Sequence, residues 1–221
     1  MASLKPITVH GHDSSANPWK VVMILEELGL PYNHIFVNIA TIKDEPYTKL
    51  NPNGRVPTIE DPNTGITLWE SGAIIEYLVE TYDKEHKISS TSFPAKFHEK
   101  QFLHFQMSGQ GPYYGQYAWF TRFHPEKVES AISRYEEQMF RVVGVLDKIL
   151  EDKQYLVGDK ISYADISFIA WESTARMVFA DKIDRFKGFK NYDAWYERIA
   201  ARPSVKKVFQ LRADAMAKSS H

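Results

Sequence analysis

Glu70 and Ser71 stand side by side just before an amphipathic helical pattern, and Val56-Pro57 lies a short way upstream. The start of a helix presents unpaired N–H groups and the positive end of its dipole, so a carboxylate can dock at Ser71. The Glu70 carboxylate can meet an ammonium group. A cis Val56-Pro57 bond would leave backbone N–H and C=O groups for an extended ligand. These residues predict a site for a small peptide with an ammonium group, a carboxylate and a peptide bond.

The elements around these residues predict an α/β layer. Short strands over residues 58–60 and 66–69 flank a Pro-Asn-Thr-Gly turn, which is typical of an antiparallel hairpin. From Ser71 onward, apolar residues recur at helical spacing up to Tyr82. Upstream, the pattern predicts a strand at 7–11, a helix at 18–28 and a strand at 31–39. This order fits a thioredoxin-like domain.

The second half of the chain predicts helices only. A heptad-like apolar rhythm runs from Ile132 to Ile149, and further helices are predicted at 163–179, 191–201 and 204–216. The fold class is therefore α/β plus all-α, an N-terminal thioredoxin-like domain followed by a C-terminal helical bundle. We expect the first domain to span residues 1–83, a polar linker 84–94, and the all-helical domain 95–221.

The segments NPNGRVP and WESGAIIEYL resemble the glutathione-binding half of cytosolic glutathione transferases. The resemblance covers nearly the whole chain, and it is closest to the fungal class built around the yeast nitrogen-repression regulator. It implies a glutathione transferase fold, glutathione as co-substrate and a homodimer. The Asn/Gln-rich extension of the yeast regulator is absent from this sequence.

The resemblance also implies a set of glutathione contacts. Val56, followed by Pro57, pairs its backbone with the cysteinyl unit; Glu70 meets the γ-glutamyl ammonium, and Ser71 binds the γ-glutamyl carboxylate. Lys43 is expected near the glycyl carboxylate, and Arg55 of NPNGRVP is included among the glutathione-binding residues. Each has an ordinary structural alternative: a strand start, a solvated acid, an N-cap or a solvated lysine.

The expected catalytic group lies between the first strand and the first helix. The fungal class carries a motif similar to Ser-x-Asn-x-aromatic-Lys-Val, which matches Ser15, Asn17, Trp19, Lys20 and Val21 here. Asn17 would donate a hydrogen bond to the glutathione sulfur and favour its thiolate. A proline, Pro18, replaces the usual glycine, and the alternative interpretation of Asn17-Pro18 is an N-cap followed by the first helical residue. The hydroxyls of Ser14 and Ser15 remain alternative donors.

The electrophile pocket is expected to draw on Trp19 and on three tyrosines of the second domain. The run QMSGQGPYYGQYAWF resembles the fungal class, and its glycines and proline indicate a bend that opens space. Tyr113, Tyr114 and Tyr117 would line that space with apolar rings and polar tips. The alternative is that these rings pack in the core or at a dimer interface.

Two other patterns are interpreted as structural. Ser162 and Asp165 have capping-box spacing, which indicates a folding element without a catalytic role. His10-x-His12 is the one close pair among eight histidines, and no third ligand can be assigned, so no metal site is expected.

Composition excludes several classes of protein. Lys+Arg number 27 and Asp+Glu 28 in 221 residues, so no basic excess favours nucleic acid. There is no cysteine, which excludes disulfides and a cysteine nucleophile. No apolar run reaches the length that spans a bilayer, and the N-terminus lacks an apolar signal core, so a cytoplasmic location is expected.

The functional expectation is a homodimeric glutathione transferase of the detoxification type. Bound glutathione thiolate would attack a small hydrophobic electrophile or a peroxide held between the domains, with glutathione peroxidase as a possible side activity. Two alternatives stay open. One is a glutathione-binding regulatory protein like the yeast regulator, and the other is an enzyme that adds glutathione to an intermediate of a fungal secondary-metabolite pathway.

Overall fold

The structure is a computed structural model that describes residues 3–219. It divides into two compact units, one formed by residues 3–88 with 201–219 and the other by residues 89–200. The first unit contains β1 (Ile7–Gly11), α1 (Ala16–Leu28), β2 (Tyr32–Phe36), α2 (Tyr47–Leu50), β3 (Thr58–Asp61), β4 (Ile66–Trp69) and α3 (Ser71–Tyr82). The predicted thioredoxin-like order of elements is confirmed.

The four strands form one mixed sheet in the order β2-β1-β3-β4. Strands β1 and β2 are parallel, whereas β3 is antiparallel to both β1 and β4. Val9 in β1 lies opposite His34 on one side and Ile59 on the other. Ile7, Val9 and Ile59 are at most 1% exposed, so the face of the sheet that carries them belongs to the core.

Helix α1 is buried on more sides than its sequence pattern indicates. The pattern assigns one apolar face through Val21, Leu25 and Leu28, but Val22 and Ile24 are fully buried as well. The reason is that α1 packs against β1, α3 and the last helix of the chain. A helix covered on several faces needs apolar residues around most of its circumference.

The last helix, numbered α10 (Pro203–Ser219), belongs to the first unit. Arg202, just before it, donates from Nε and a terminal nitrogen to the Glu27 carboxylate of α1 at 2.7 Å each, and Lys207 pairs with Glu26 at 2.7 Å. The sequence-based boundaries placed this helix in the all-helical domain. Charge pairs across about 180 positions of sequence, which no local pattern reveals, attach it to α1 instead.

The second unit is all-helical, as predicted. Its elements are α4 (Ala95–Phe105), a π-helical segment (Gln106–Gln110), α5 (Gly111–Arg122), α6 (Glu129–Ile149), α7 (Tyr163–Val178), a short 3₁₀ turn (Ala180–Lys182), α8 (Ile183–Lys187) and α9 (Lys190–Ala200). The irregularity expected from the glycine-rich run is the π-helical segment, which widens the helix by a residue per turn.

The π-helical segment turns polar side chains into the interior of this unit. Gln106 and Gln110 are fully buried, and Gln110 Nε2 donates to Glu172 Oε1 at 2.8 Å. Tyr114 donates to the same carboxylate oxygen at 2.5 Å. Burial raises the pKa of the Glu172 carboxyl, because the charged form loses its hydration in the interior.

The predicted capping box at the start of α7 is present and buried. Asp165 Oδ2 accepts hydrogen bonds from the backbone N–H and the hydroxyl of Ser162, at 2.9 and 2.8 Å. Its Oδ1 accepts from the Leu156 N–H at 2.8 Å and from Trp195 Nε1 at 2.9 Å. One carboxylate therefore joins the loop before α7, the helix itself and α9.

Within residues 3–219, no helix combines the length and the apolar character that a membrane span requires.

Replacing Asp165 with alanine should destabilise the protein strongly, because four donors in the interior lose their acceptor. The expected loss in the free energy of unfolding is on the order of 3 kcal/mol or more. Urea denaturation measures it, with Asp159→Ala, at an exposed position six residues upstream, as the control. A loss no larger than that of Asp159→Ala would contradict the role assigned to Asp165.

Candidate functional site

The predicted catalytic residues lie at the start of α1. Strand β1 ends at Gly11, and the helix begins at Ala16 with Ser15 as its N-cap residue. Asn17 is the second residue of the helix and Pro18 the third. The alternative in which Asn17 is merely the N-cap and Pro18 the first helical residue therefore does not describe this helix. Asn17 is half-buried and makes an interaction of its own.

The two serines differ in their surroundings. Ser14 is exposed, and its hydroxyl lies 2.9 Å from His12 Nδ1. Ser15 is half-buried, and its side chain makes no capping hydrogen bond to the helix. Ser14 and Ser15 thus lie just before α1 and Asn17 lies in its first turn, where N–H groups and the helix dipole favour a nearby anion.

Trp19 holds this turn from inside the unit. It is 2% exposed, and its Nε1 donates to the Asp13 carbonyl at 2.7 Å. Its ring meets the His34 ring edge-on, with centroids 4.7 Å apart. Burial lowers the pKa of His34 to about 4, so this ring is neutral at physiological pH. Trp19, which was predicted for the electrophile pocket, lies in the core and anchors the loop.

Gly11 allows the close approach of these parts. A Cβ atom at this position would stand 2.3 Å from His34 Nε2 and 2.8 Å from Pro18 Cβ. Any side chain larger than hydrogen would therefore push β2 and the start of α1 apart.

The Val56-Pro57 bond is cis, and it lies just before β3. The preceding Arg55 carbonyl is fixed by two donors, the Tyr47 hydroxyl at 2.7 Å and Asn51 Nδ2 at 2.8 Å. The backbone of Val56 takes part in none of the hydrogen bonds formed within residues 3–219. A backbone segment that is anchored but unpaired is suited to pairing with an extended ligand.

Lys43 lies beside this segment, in the loop between β2 and α2. The Lys43 Cγ atom is 3.2 Å from the place where a Cβ of Gly54 would stand, and Gly54 has a positive φ of 58°. Lys43 and Arg55 are both exposed, so their charged ends are accessible. The structure brings Lys43 next to NPNGRVP, although the sequence separates them by a helix.

Glu70 and Ser71 form the junction between β4 and α3. Glu70 has φ 71° and ψ 110°, an unusual conformation for a residue with a side chain, and it is exposed. Ser71 is the first residue of α3 and is 2% exposed. A strained residue of this kind costs about 1–3 kcal/mol and is often found at binding sites. The predicted ligand-binding pair therefore occupies the N-terminus of a 12-residue helix.

Lys20 lies close enough to the candidate site to interact with the charge of Glu70, and the sequence analysis matched it to a motif without assigning it a role. It is fully buried in α1, and the charge of Glu70 acts on it. Burial lowers its pKa from 10.5 to about 7, and the negative charge of Glu70 limits the decrease. The signal in the sequence was a single lysine inside the otherwise apolar run Trp19 to Leu25.

The three tyrosines predicted for the electrophile pocket lie in the second unit, and two of them are interior. Tyr114 is 1% exposed and bonded to Glu172. Tyr117 is 4% exposed and donates to Glu136 at 3.2 Å. Tyr113 is half-buried near the Arg141 guanidinium, 5.9 Å from its ring centroid. Core packing, the alternative weighed for these rings, accounts for Tyr114 and Tyr117.

The two neighbouring histidines have separate partners. His10 Nε2 lies 2.7 Å from Glu60 Oε1, and His12 Nδ1 lies 3.0 Å from Asp13 Oδ1. Among residues 3–219, no group of three His, Cys, Asp or Glu side chains is arranged to hold a metal ion.

The buried lysine predicts a pH dependence of stability. Lys20 has a pKa of about 7 in the folded chain and an ordinary value in the unfolded chain. Between these values the unfolded chain holds more protons, so stability should rise with pH, by up to about 1.4 kcal/mol per pH unit. Below the folded pKa both states are protonated and the rise disappears.

Urea denaturation of the wild type and of Lys20→Met across this pH window measures the effect as a difference between the two curves. Lys20→Met should lack the rise, whereas Lys49→Met, at an exposed position, should keep it. A rise of the same size in Lys20→Met and the wild type would show that Lys20 does not titrate there.

Comparison with known proteins places these features in a family. Residues 14–81 match the family model for the glutathione S-transferase N-terminal domain, and residues 112–203 match the C-terminal domain. The glutathione S-transferase-like protein gedE of Aspergillus terreus is 46% identical, over 94% of this chain and 96% of that protein.

Two solved structures from Phanerochaete chrysosporium are also similar. The glutathione transferase URE2P6, in complex with oxidised glutathione, is 42% identical, with a TM-score of 0.90 over 96% of this chain and 98% of that one. Ure2p5, cocrystallised with 1-(S-glutathionyl)-2,4-dinitrobenzene, is 39% identical, with a TM-score of 0.88 over 98% of both chains. This chain therefore belongs to the glutathione transferase family, in its fungal Ure2p-like class.

Proposed function

We propose that this protein is a catalytically active glutathione transferase that joins the sulfur of glutathione to a small apolar electrophile. The observation that supports the proposal is that the first unit contains two helix starts with suitable side chains. One bears the donors Ser15 and Asn17, and the other bears Glu70 and Ser71. The first suits a thiolate and the second suits the charged end of a peptide.

Glutathione would be held mainly by backbone and charge. The unpaired Val56 backbone would pair with the cysteinyl unit, and the exposed Glu70 carboxylate would meet the γ-glutamyl ammonium. The N–H groups at the start of α3, together with the Ser71 hydroxyl, would receive the γ-glutamyl carboxylate. Lys43, which lies close to Gly54, and Arg55, which follows Gly54 in the sequence, are both exposed and would provide positive charge for the glycyl carboxylate.

The chemical step would begin with loss of the thiol proton to solvent. The thiolate then attacks the electrophilic carbon of the substrate, a C–S bond forms, and the leaving group departs with its bonding electron pair. Asn17 would donate to the sulfur and stabilise the thiolate before attack. The dinitrobenzene conjugate crystallised with Ure2p5 supports an aryl halide as a test substrate.

The electrophile would be recognised through apolar contact. Tyr113 is half-buried and more accessible than Tyr114 and Tyr117, and its hydroxyl would orient a polar substituent of the substrate. Interior positions of Tyr114, Tyr117 and Trp19 support a role for them in shaping the scaffold. Homodimerisation, a cytoplasmic location, detoxification and a peroxidase side activity remain predictions from the family resemblance.

Glutathione affinity should depend on the junction before α3. Glu70→Gln and Ser71→Ala each remove a charge-assisted contact worth about 1.5–3 kcal/mol, so the Kd for glutathione should rise about 10- to 100-fold. Calorimetric titration measures the Kd, with Glu80→Gln near the far end of the same helix as control. Unchanged affinity in both variants, with the control also unchanged, would refute the assigned γ-glutamyl site.

Turnover should depend on Asn17 more than binding does. Asn17→Ala should lower kcat with a dinitrophenyl halide about tenfold or more and change the glutathione Kd little, since its contact gains strength as the thiolate forms. Ser14→Ala and Ser15→Ala are the matched variants.

If a serine variant, and not Asn17→Ala, lowers kcat, the activating donor is that serine. If the wild type binds glutathione but turns over neither an aryl halide nor a hydroperoxide, the result contradicts the proposed enzyme and supports a glutathione-binding regulatory protein.

A further inference from the structure

Arg212, in the C-terminal helix α10, reaches the loop that leads into α1. It is 5% exposed, one of its terminal nitrogens donates to the Ser14 carbonyl at 2.9 Å, and its Nε lies 3.3 Å from the Asp13 carbonyl. The Asp13 carbonyl also accepts the Trp19 indole N–H. Two adjacent carbonyls of the loop are thus held by one guanidinium from a residue almost 200 positions away.

These two contacts fix more than the carbonyls. A peptide group is planar, so a fixed C=O also fixes the direction of the N–H on the next residue. Holding the Asp13 and Ser14 carbonyls therefore orients the N–H groups of Ser14 and Ser15. The Ser14 N–H bonds to Asp13 Oδ1 at 2.6 Å, and the Ser15 N–H bonds to the His12 carbonyl at 3.3 Å. Hydrogen bonds therefore fix both the carbonyl groups and the N–H groups of this loop.

The charge of Arg212 also suits this position. Burial lowers its pKa to about 10, and the negative charge of Asp13 opposes that decrease, so the guanidinium is charged near neutral pH. The titratable neighbours in the loop are Asp13 and His12, which pair with each other at 3.0 Å. Arg212 therefore places a positive charge, partly offset by that of Asp13, beside the loop before α1, where a thiolate is expected to bind.

The same helix has a second, separate anchor on α1. Arg202 binds Glu27 through two nitrogens at 2.7 Å, near the C-terminal end of α1 and away from the loop. Arg202 thus forms an ion pair near the C-terminal end of α1, whereas Arg212 donates to backbone carbonyls of the loop before α1.

We propose that Arg212 is a positioning residue for thiol activation, which holds residues 13–15 so that the donors at the start of α1 face the sulfur of bound glutathione. This inference rests on the proposed function, because it concerns the same thiolate. Arg212 would act through the backbone of Asp13 and Ser14, whose carbonyls it holds, without itself donating to the sulfur. Its effect should appear in the ionisation of the thiol and in kcat, with little effect on glutathione affinity.

The test compares Arg212→Met, Arg212→Lys and the control Arg202→Met in the full-length protein. Thiolate absorbance of the glutathione complex is titrated against pH, and kcat with a dinitrophenyl halide is followed over the same range. Arg212→Met should raise the thiol pKa by about one unit, which corresponds to about a tenfold lower thiolate fraction near neutral pH. The deficit in kcat should shrink as the pH rises above the thiol pKa.

The other two variants define what the result means. Arg212→Lys should give a smaller shift, because an ammonium group lacks the planar fork that contacts two carbonyls. Arg202→Met should lower the thermal midpoint without moving the thiol titration, since it loosens α10 away from the loop. Glutathione Kd, by calorimetry, should stay within about twofold in all three.

Three outcomes would overturn the proposal. The first is an unchanged thiol titration in Arg212→Met, and the second is an equal shift in Arg202→Met. The third concerns the case in which Arg212→Met does not fold. An unchanged thiol titration in Arg212→Lys would then contradict the proposal. If the wild-type complex itself shows no lowered thiol pKa, the proposed activation by the start of α1 fails, and that result is distinct from a failure of Arg212 alone.

Discussion

Burial of α1 is the constraint on which the first unit depends. Val21, Val22, Ile24 and Leu25 are fully buried, because the sheet, α3 and α10 cover different faces of this helix. Each buried aliphatic side chain contributes about 1.5–3 kcal/mol, so displacement of α1 would be costly. The start of the helix is therefore fixed in space. The four residues between β1 and α1 therefore have little conformational freedom.

Two features that reduce the stability of the fold occur in this first unit. Glu70 adopts a positive φ at the start of α3, and Lys20 is buried in α1 under the influence of the Glu70 charge. A strained backbone and a buried lysine both oppose folding, and the apolar core must offset them. Departures from foldability concentrate at functional sites. Both features involve the Glu70 carboxylate, which is the group proposed to bind the γ-glutamyl ammonium of glutathione.

Local signals in the sequence were enough to predict most of the elements, including the helix start that carries part of the candidate site. The hairpin turn before Gly65, the start of α3 at Ser71 and the capping box at Asp165 each depend on residues within a few positions of one another. The attachment of α10 to α1 could not be predicted in this way. Arg212 and Ser14 are 198 positions apart, and an arginine in an amphipathic helix has the pattern of a solvated face.

The same limit explains the aromatic residues. Tyr114 and Tyr117 have the types and spacing of a pocket lining, but whether a ring faces a pocket or the interior depends on which neighbouring helix covers it. Glu172 of α7 accepts the Tyr114 hydroxyl, and Phe179 packs on Tyr117 with ring centroids 4.5 Å apart. These contacts join residues about 60 positions apart. Periodicity along one helix does not reveal them.

The absence of cysteine sets the final constraint on the chemistry. The chain has no thiol, so the nucleophilic thiol of the proposed reaction must be that of glutathione, and no mixed disulfide between protein and glutathione can form. In the proposed reaction, the protein would contribute hydrogen bonds, the helix dipole and fixed charges at the start of α1. Such groups act strongly when their orientation is fixed before the reaction, because they then need no reorganisation as charge develops. Trp19 and Arg212 both donate hydrogen bonds to carbonyls of the loop before α1. The proposed activation of the thiol requires this fixed loop as well as the donor.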